Sequence, residues 1–383
     1  MAAPDATLID NAVDVLPAGE LEKKLARDTP LRVKLGIDPT APDIHLGHMF
    51  VLGALAVFQR AGHTAVLIIG DYTARIGDPS GRSKERPVLS EAELDANAQS
   101  YAKQAFKILD RDRTEIRHNS EWLAALDFAD VLRITRTMTV ARLLERDDFA
   151  KRMAAQAPIT VTELLYPLMQ GYDSVAVEAD IELGGTDQLY NLLAGRELMN
   201  EYGLEPQVVM TLPILVGTDG VERMSKSRGN YVGLTEPPEE QFGKVMSIPD
   251  DAVNDFWRLC LSRESPADDP MASKLALARG IVERYHGAQA ASEADAHFTR
   301  VVRERSAPDE IPAVSVPAGT VLHLPAFLKE QFGESTSHWR RVVTQGGVKA
   351  DGAPILELEL AIDSDRAVTL QAGKRRFIRV RVD

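Results

Sequence analysis

Apolar residues in this chain fall into two patterns, short continuous runs and stretches spaced for one face of a helix. Residues 31–37 and 64–70 are continuous runs, each closed by Gly, Asp or Pro, and predict buried strands. Between them, Val51, Leu52, Leu55, Val57 and Phe58 give residues 49–60 an apolar face that ends at Gly62, so a helix is predicted from near His45. Strand, helix, strand is a βαβ unit and implies a parallel sheet. Residues 181–185 and 207–215 read as further strands, with a helix through residues 191–200 between them. A short polar helix is expected at residues 20–29, and residues 90–180 predict helices at 91–109, 121–126, 130–145 and 158–173.

The last third changes character. Residues 239–305 read as helical, with one apolar stripe at Val253, Phe256, Trp257 and Cys260 and another at Leu277, Ile281, Val282 and Tyr285. Pro308, Pro312 and Pro317 mark residues 306–318 as a linker. Two short helices follow at 324–331 and 337–345, then short strands from Gly346 to the end.

A chain of 383 residues is too long for one ordinary domain. Its 44% hydrophobic and 26% charged content is that of a soluble globular protein, and no stretch is long and apolar enough for a membrane helix. The first residues, Met-Ala-Ala-Pro-Asp-Ala, show no signal peptide, and the single cysteine, Cys260, fits a reducing compartment; a cytoplasmic protein is expected. Cys260 sits in an apolar helical pattern, which suits core better than a nucleophile. A net charge of −13 argues mildly against bulk attraction to nucleic acid, although a local basic patch can still bind it.

The loops at the predicted strand ends carry the candidate chemistry. In open α/β sheets, ligands bind at the carboxyl ends of strands. After residues 31–37, His45 and His48 share one face at the start of a helix, and Gly47 leaves room for a flat ring to approach the backbone. The free N–H groups and positive dipole end there favour phosphate, so the two imidazoles are candidate phosphate donors; surface histidines are the plainer alternative. After residues 64–70, Asp78 is a candidate for an ammonium group, and Arg82 and Arg86 for a mobile phosphate clamp. Tyr166, Gln170 and Asp173 lie on one helix face, lining either solvent or a pocket. Asp187 follows a Gly-Gly pair and is placed to accept from hydroxyls, while Lys226 sits in a flexible Ser-Lys-Ser loop able to close over a triphosphate. The eight histidines form no ligand-spaced cluster with cysteine, so no intrinsic metal site is expected.

Taken together, His45-Leu-Gly-His48 and Arg223-Met224-Ser225-Lys226-Ser227 resemble the HIGH and KMSKS signatures of class I aminoacyl-tRNA synthetases. The segments 36–40, 76–81, 166–173 and 185–188 narrow the resemblance to the tyrosyl-tRNA synthetase pattern of bacteria, over nearly the whole chain. The resemblance implies a Rossmann-like α/β catalytic domain over residues 1–235 with a helical insertion and dimer region near 112–165. A helical domain at 236–306 would contact the anticodon arm, and a linker at 307–318 would lead to a small α+β, S4-like RNA-binding domain at 319–383. It further implies ATP with Mg²⁺ as substrate, tyrosyl-adenylate as intermediate, L-tyrosine and tRNA(Tyr) as partners, and a homodimer.

By matching motif, Asp78, Tyr166 and Gln170 would hold the amino group of the amino acid, with Gln188 also in the tyrosine site, and Asp173 would accept from the phenolic hydroxyl. Gly36, Asp38, Gly47 and Asp187 would surround the adenosine, Asp187 on the ribose. Thr40, His45 and His48 would serve the phosphates. Arg82, Arg86 and the 223–227 loop with Lys226 would close during the reaction. Arg340, Arg341, Lys374, Arg375, Arg376 and Arg379 would form the basic face for folded RNA.

Two positions depart from the family pattern. The best-known members have a tyrosine where this chain has Lys34; a charged lysine cannot accept a hydrogen bond, so Lys34 either pairs with Asp173 or points elsewhere. Arg223 replaces the first lysine of KMSKS, keeping the charge and changing its geometry. Two rival readings stand beside this one: a tryptophanyl-type synthetase, disfavoured by Tyr166, Gln170 and Asp173, and an RNA-binding paralogue that has lost catalysis.

Overall fold

The computed structural model describes residues 11–40, 43–78, 90–303, 311–317, 319–362, 367–373 and 376–382. The chain divides into two compact units, one ending at Gly287 and the other beginning at Ala288.

The first unit is built on a six-stranded sheet of β1 (Asp14–Leu16), β2 (Arg32–Ile37), β3 (Thr64–Ile69), β4 (Thr114–His118), β5 (Ile181–Gly185) and β6 (Val208–Leu212), in the order β1-β6-β5-β2-β3-β4. All neighbours run parallel except β1, which is antiparallel to β6. The strand order steps outward from β2 to β3 and β4, then returns to the other side of β2 with β5. That reversal opens a crevice between β2 and β5 at their carboxyl ends. The strands are apolar because both faces are covered; every residue of β6 is buried, as are five of the six in β3.

Helix α1 spans Glu20–Leu25, α2 Leu46–Arg60 and α3 Glu91–Ala105. The α2 face predicted from its pattern packs inward, with Leu52, Leu55 and Phe58 fully buried. The insertion contains α4 (Ser120–Leu123), α5 (Phe128–Thr135), α6 (Val140–Leu143) and α7 (Asp147–Ala154), followed by α8 (Val161–Val177) and α9 (Leu189–Glu201). Ile134, Met138 and Leu143 of the insertion bury against Leu168 of α8 and Leu198 of α9. Helices α8 and α9 approach closely: a Cβ on Gly171 would lie 2.7 Å from Leu198 Cδ1 and 3.1 Å from the Gly195 Cα. Helices α10 (Pro238–Met246), α11 (Val253–Leu261) and α12 (Pro270–His286) complete this unit around Phe242, Phe256, Trp257, Leu277 and Ile281.

The second unit has α13 (Ala288–Phe298), β7 (Ala313–Val316), β8 (Val321–His323), α14 (Leu324–Phe332), α15 (Thr336–Thr344), β9 (Val348–Ala350), β10 (Ala353–Ile355), β11 (Glu359–Ala361), β12 (Val368–Ala372) and β13 (Arg376–Val382). Its sheet runs β10-β9-β12-β13-β7, with β8 and β11 paired separately, over a core of Leu328, Trp339, Val343, Val348, Leu370 and Val380.

Four expectations change. The single helix expected at 130–145 is two, because Asp127 caps one start and Thr139 the other, each accepting from a backbone N–H of the following turn. Strands β1 and β4 were not visible as apolar runs: both lie at sheet edges and none of their residues is fully buried. The helical stretch 239–305 is broken into separate helices. Residues 313–316, read as linker, pair in parallel with β13.

Candidate active site

The crevice at the carboxyl ends of β2 and β5 is a cavity of about 630 Å³, lined from one end by α8 and from the other by the start of α2 and the 223–226 loop. The chain folds this way locally because polar and small residues end each buried run, so the strands stop where the ligand space begins.

At the α8 end, Tyr166, Gln170 and Asp173 all line the cavity, so the shared face that their spacing predicts meets a pocket and not solvent. Asp173 is 3% exposed and accepts hydrogen bonds from Trp122 Nε1 at 2.8 Å and Asn119 Nδ2 at 3.3 Å. Burial pushes its carboxyl up to about 7, against the opposing pull of Lys34 and of those two donors. The Tyr166 hydroxyl donates to Asp38 Oδ2 at 2.9 Å, and burial together with the Asp38 and Asp78 charges keeps that phenol un-ionised. Asp78 accepts from Gln188 Nε2 at 2.7 Å and sits 3.4 Å from the buried Arg146 guanidinium. Asn191 Nδ2 donates to Gln170 Oε1 and to Gln188 Oε1, both at 3.0 Å, linking the two glutamines.

Lys34 does not pair directly with Asp173. Its ammonium donates to Glu182 Oε1 at 2.8 Å, Ser174 Oγ at 2.8 Å and the main-chain oxygen of Gln170 at 3.0 Å, so all three protons are taken. A long side chain on a central strand has no route to water here and finds its counter-ion on the neighbouring strand β5.

At the α2 end, His45 and His48 pack with ring centroids 3.9 Å apart, and the main-chain N–H of His45 donates to His48 Nδ1 at 3.4 Å. Burial lowers both imidazoles, His48 to about 4 and His45 well below its ordinary value, so both are neutral near pH 7. His45 Nδ1 is buried and has no partner among the described residues. At Gly47 the neighbour that needs the space is the His45 ring, which a Cβ there would meet at 3.1 Å. Gly36, Asp38, Thr40, Gly47 and Asp187 line the same cavity with Arg223, Met224, Ser225 and Lys226. Arg223 forms an ion pair with Asp187, and Lys226 Nζ lies 2.9 Å from Asp43 Oδ2. Burial raises the Asp187 carboxyl, and Arg223 offsets part of that rise.

The motif reading did not find Asn119, Trp122, Arg146, Ser174, Asn191 and Glu182. None belongs to a recognisable motif; the one available signal was Glu182, a charge inside an apolar strand run. Arg82, Arg86, Lys374 and Arg375 lie outside the described residues, as does the Ser227 side chain. Of the remaining basic-face residues, Arg340, Arg341 and Arg376 are exposed and Arg379 is half-buried. Arg376 stands over the Trp339 ring at 5.4 Å and 3.3 Å from Glu334. Among the described residues, no group of three or more His, Cys, Asp or Glu side chains is placed to hold a metal ion, and no helix is long and apolar enough to cross a membrane. Cys260 is buried and its thiol is pushed up to about 12 by burial. The native protein is therefore expected to resist a thiol-reactive disulfide reagent at pH 8 and to titrate one thiol once unfolded in guanidinium; rapid native labelling would contradict this.

A family model described as tRNA synthetases class I (W and Y) matches residues 26–302. The tyrosine–tRNA ligase of Thermotoga maritima is 47% identical over 382 residues, covering 97% of this chain and 95% of its own. That of Cupriavidus pinatubonensis is 49% identical over 383 residues, covering 96% and 92%. Among solved structures, the tyrosyl-tRNA synthetase of Archaeoglobus fulgidus complexed with L-tyrosine aligns with a TM-score of 0.62 at 24% identity, covering 76% of this chain and 97% of that one, a likeness of fold. The chain belongs to the class I tRNA synthetases of the tryptophan and tyrosine family and, within it, to the tyrosine–tRNA ligases.

Proposed function

We propose that this cavity activates L-tyrosine with ATP and that the tyrosyl group then passes to the 3′ end of tRNA(Tyr). The observation that carries the reading is the arrangement within one cavity: a buried carboxylate held by two donors at one end, and paired imidazoles with Arg223 and Lys226 at the other. A phenol reaches Asp173 as a third donor, while Asp78, Tyr166 and Gln170, with Gln188 on Asp78, surround the ammonium. The tyrosine carboxylate attacks the α-phosphorus, the bond to the bridging oxygen breaks, and pyrophosphate leaves. No protein nucleophile is needed, so positioning and charge stabilisation dominate. His45, His48 and Thr40 donate to the departing phosphates as neutral groups; Lys226 supplies positive charge once it leaves Asp43. Asp187 takes the ribose hydroxyls, and Gly36, Asp38 and Gly47 leave space for the adenosine. Mg²⁺ would arrive on the ATP phosphates and neutralise part of their charge.

ATP–pyrophosphate exchange with tyrosine, phenylalanine and tryptophan supplied separately tests the reading. Exchange with tyrosine alone is expected. Exchange with tryptophan or phenylalanine would overturn the assignment of the α8 end, and none at all would favour a non-catalytic RNA-binding role.

The single cysteine supports a cytoplasmic enzyme, and the domain scheme from the sequence supports a segment 236–306 that meets the anticodon arm and an S4-like end that, through Arg340, Arg341, Arg376 and Arg379, meets the tRNA backbone. A homodimer through the insertion is supported by its exposed apolar side chains: Phe128 is 76% exposed, Val140 61%, Met153 54% and Val161 74%. Phe128→Asp is therefore expected to shift the protein from dimer to monomer mass in light scattering at micromolar concentration. An unchanged dimer would place the interface elsewhere.

A further inference from the structure

Beneath the α8 end of the cavity lies a buried ionic pair, Lys34 at 0% and Glu182 at 1% exposure. Two of the three Lys34 acceptors, the Gln170 carbonyl and Ser174 Oγ, belong to the turn of α8 that carries Asp173. Glu182 Oε2 in turn accepts from Ser174 Oγ and Gln207 Nε2, both at 2.9 Å. Buried ion pairs are seldom a gain in stability over apolar side chains of the same volume, so stability alone does not account for one here.

Its position gives another reason. Asp173 faces Lys34 on β2 and Glu182 on β5, whose charges act on it in opposite senses. From the α4 side it meets the neutral donors Asn119 and Trp122, and on its own helix it meets Tyr166, bonded to Asp38. Arg75 also lines the cavity. Between groups buried this deeply, such nearby charges are poorly screened.

We propose that Lys34 and Glu182 are positioning residues for amino-acid selection: by opposed fields and by their grip on α8 they set how Asp173 receives the substrate hydroxyl, and with it the preference for tyrosine over phenylalanine. This rests on the assignment of Asp173 to that hydroxyl.

The test is the pH dependence of kcat/KM for tyrosine and phenylalanine in pyrophosphate exchange, for the wild type, Glu182→Gln, Lys34→Met and the double variant. Glu182→Gln is isosteric, and Gln207 Oε1, buried without a partner among the described residues, can accept from the new amide if the Gln207 amide turns over. Removing the negative charge should lower the midpoint of the tyrosine profile by roughly one unit, and removing the positive charge should raise it by a similar amount. The double variant should return close to the wild type, and Lys34→Met should lose about fivefold in tyrosine preference at pH 7. Midpoints that stay put, or that move the same way in both single variants, overturn the proposal. Should Lys34→Met fail to fold, the fall in Glu182→Gln and its reversal in the double variant carry the same test. Asp173→Asn separates the two layers. If it keeps the wild-type preference, the assignment of Asp173 fails; if it loses the preference while the pair variants leave the midpoint unmoved, only the role of the pair fails.

Discussion

Asp173→Asn is expected to lower kcat/KM for tyrosine by roughly 10- to 100-fold while changing that for phenylalanine far less, measured by pyrophosphate exchange at pH 8. The size follows from losing a hydrogen bond to a charged acceptor, about 1.5–3 kcal/mol. The selectivity has a further source: with phenylalanine bound, an ionised Asp173 would be left buried one donor short, a cost the asparagine does not carry. A similar loss for both substrates would mean that Asp173 shapes the pocket without touching the hydroxyl. The same variant should alter stability with a definite sign. The folded-state value of Asp173, about 7, lies above its ordinary 3.8. Its contribution to ligand-free stability is therefore fully present below about pH 4 and is lost as pH rises to 7, a change of about 4 kcal/mol. Relative to the wild type, Asp173→Asn should gain stability by that order between pH 4 and pH 8 in urea unfolding, and a gap constant with pH would contradict this. On the proposed role of Asp173, tyrosine selection thus comes at the expense of stability.

Removal of the phosphate-end donors should give the other large effect. His45→Ala and Lys226→Ala are each expected to lower kcat for adenylate formation by about 10²- to 10³-fold, the usual loss for one preorganised transition-state donor. KM for tyrosine should change little, because neither group reaches the α8 end. Rapid-quench measurement of tyrosyl-adenylate formation checks this; a rise in KM with kcat intact would make these residues ground-state binders. Both imidazoles are lowered by burial, so the rate carried by His45 should show no imidazole titration between pH 6 and 8.

How much was legible beforehand depended on whether a residue's role is local. His45, Asp78, Asp187 and Lys226 stand at strand ends and loops where motif and position coincide, and the cavity gathers all of them. The apolar runs marked β2, β3, β5 and β6 because buried strands must be apolar on both faces. Edge strands β1 and β4 carry no such requirement, and their polar residues hid them. Trp122 and Asn119 reach Asp173 from an element distant in sequence, which no spacing rule can encode. Lys34 was visible as a departure, but its partner was not: Lys34 Nζ meets Glu182 only because β2 and β5 are neighbours across the reversal in strand order.

The pairing of Arg223 with Asp187 bears on which molecules the site retains. A bare nucleoside that takes Asp187 for its ribose, as proposed, competes with the guanidinium for the same carboxylate and brings no anion in exchange. ATP brings three phosphates, so Arg223 and Lys226 can exchange one set of negative partners for another. On the proposed assignment of Asp187 to the ribose, the carboxylate that would take the sugar is already held by Arg223 and is released most readily by a ligand carrying replacement charge, a filter against adenosine that works before any chemistry begins.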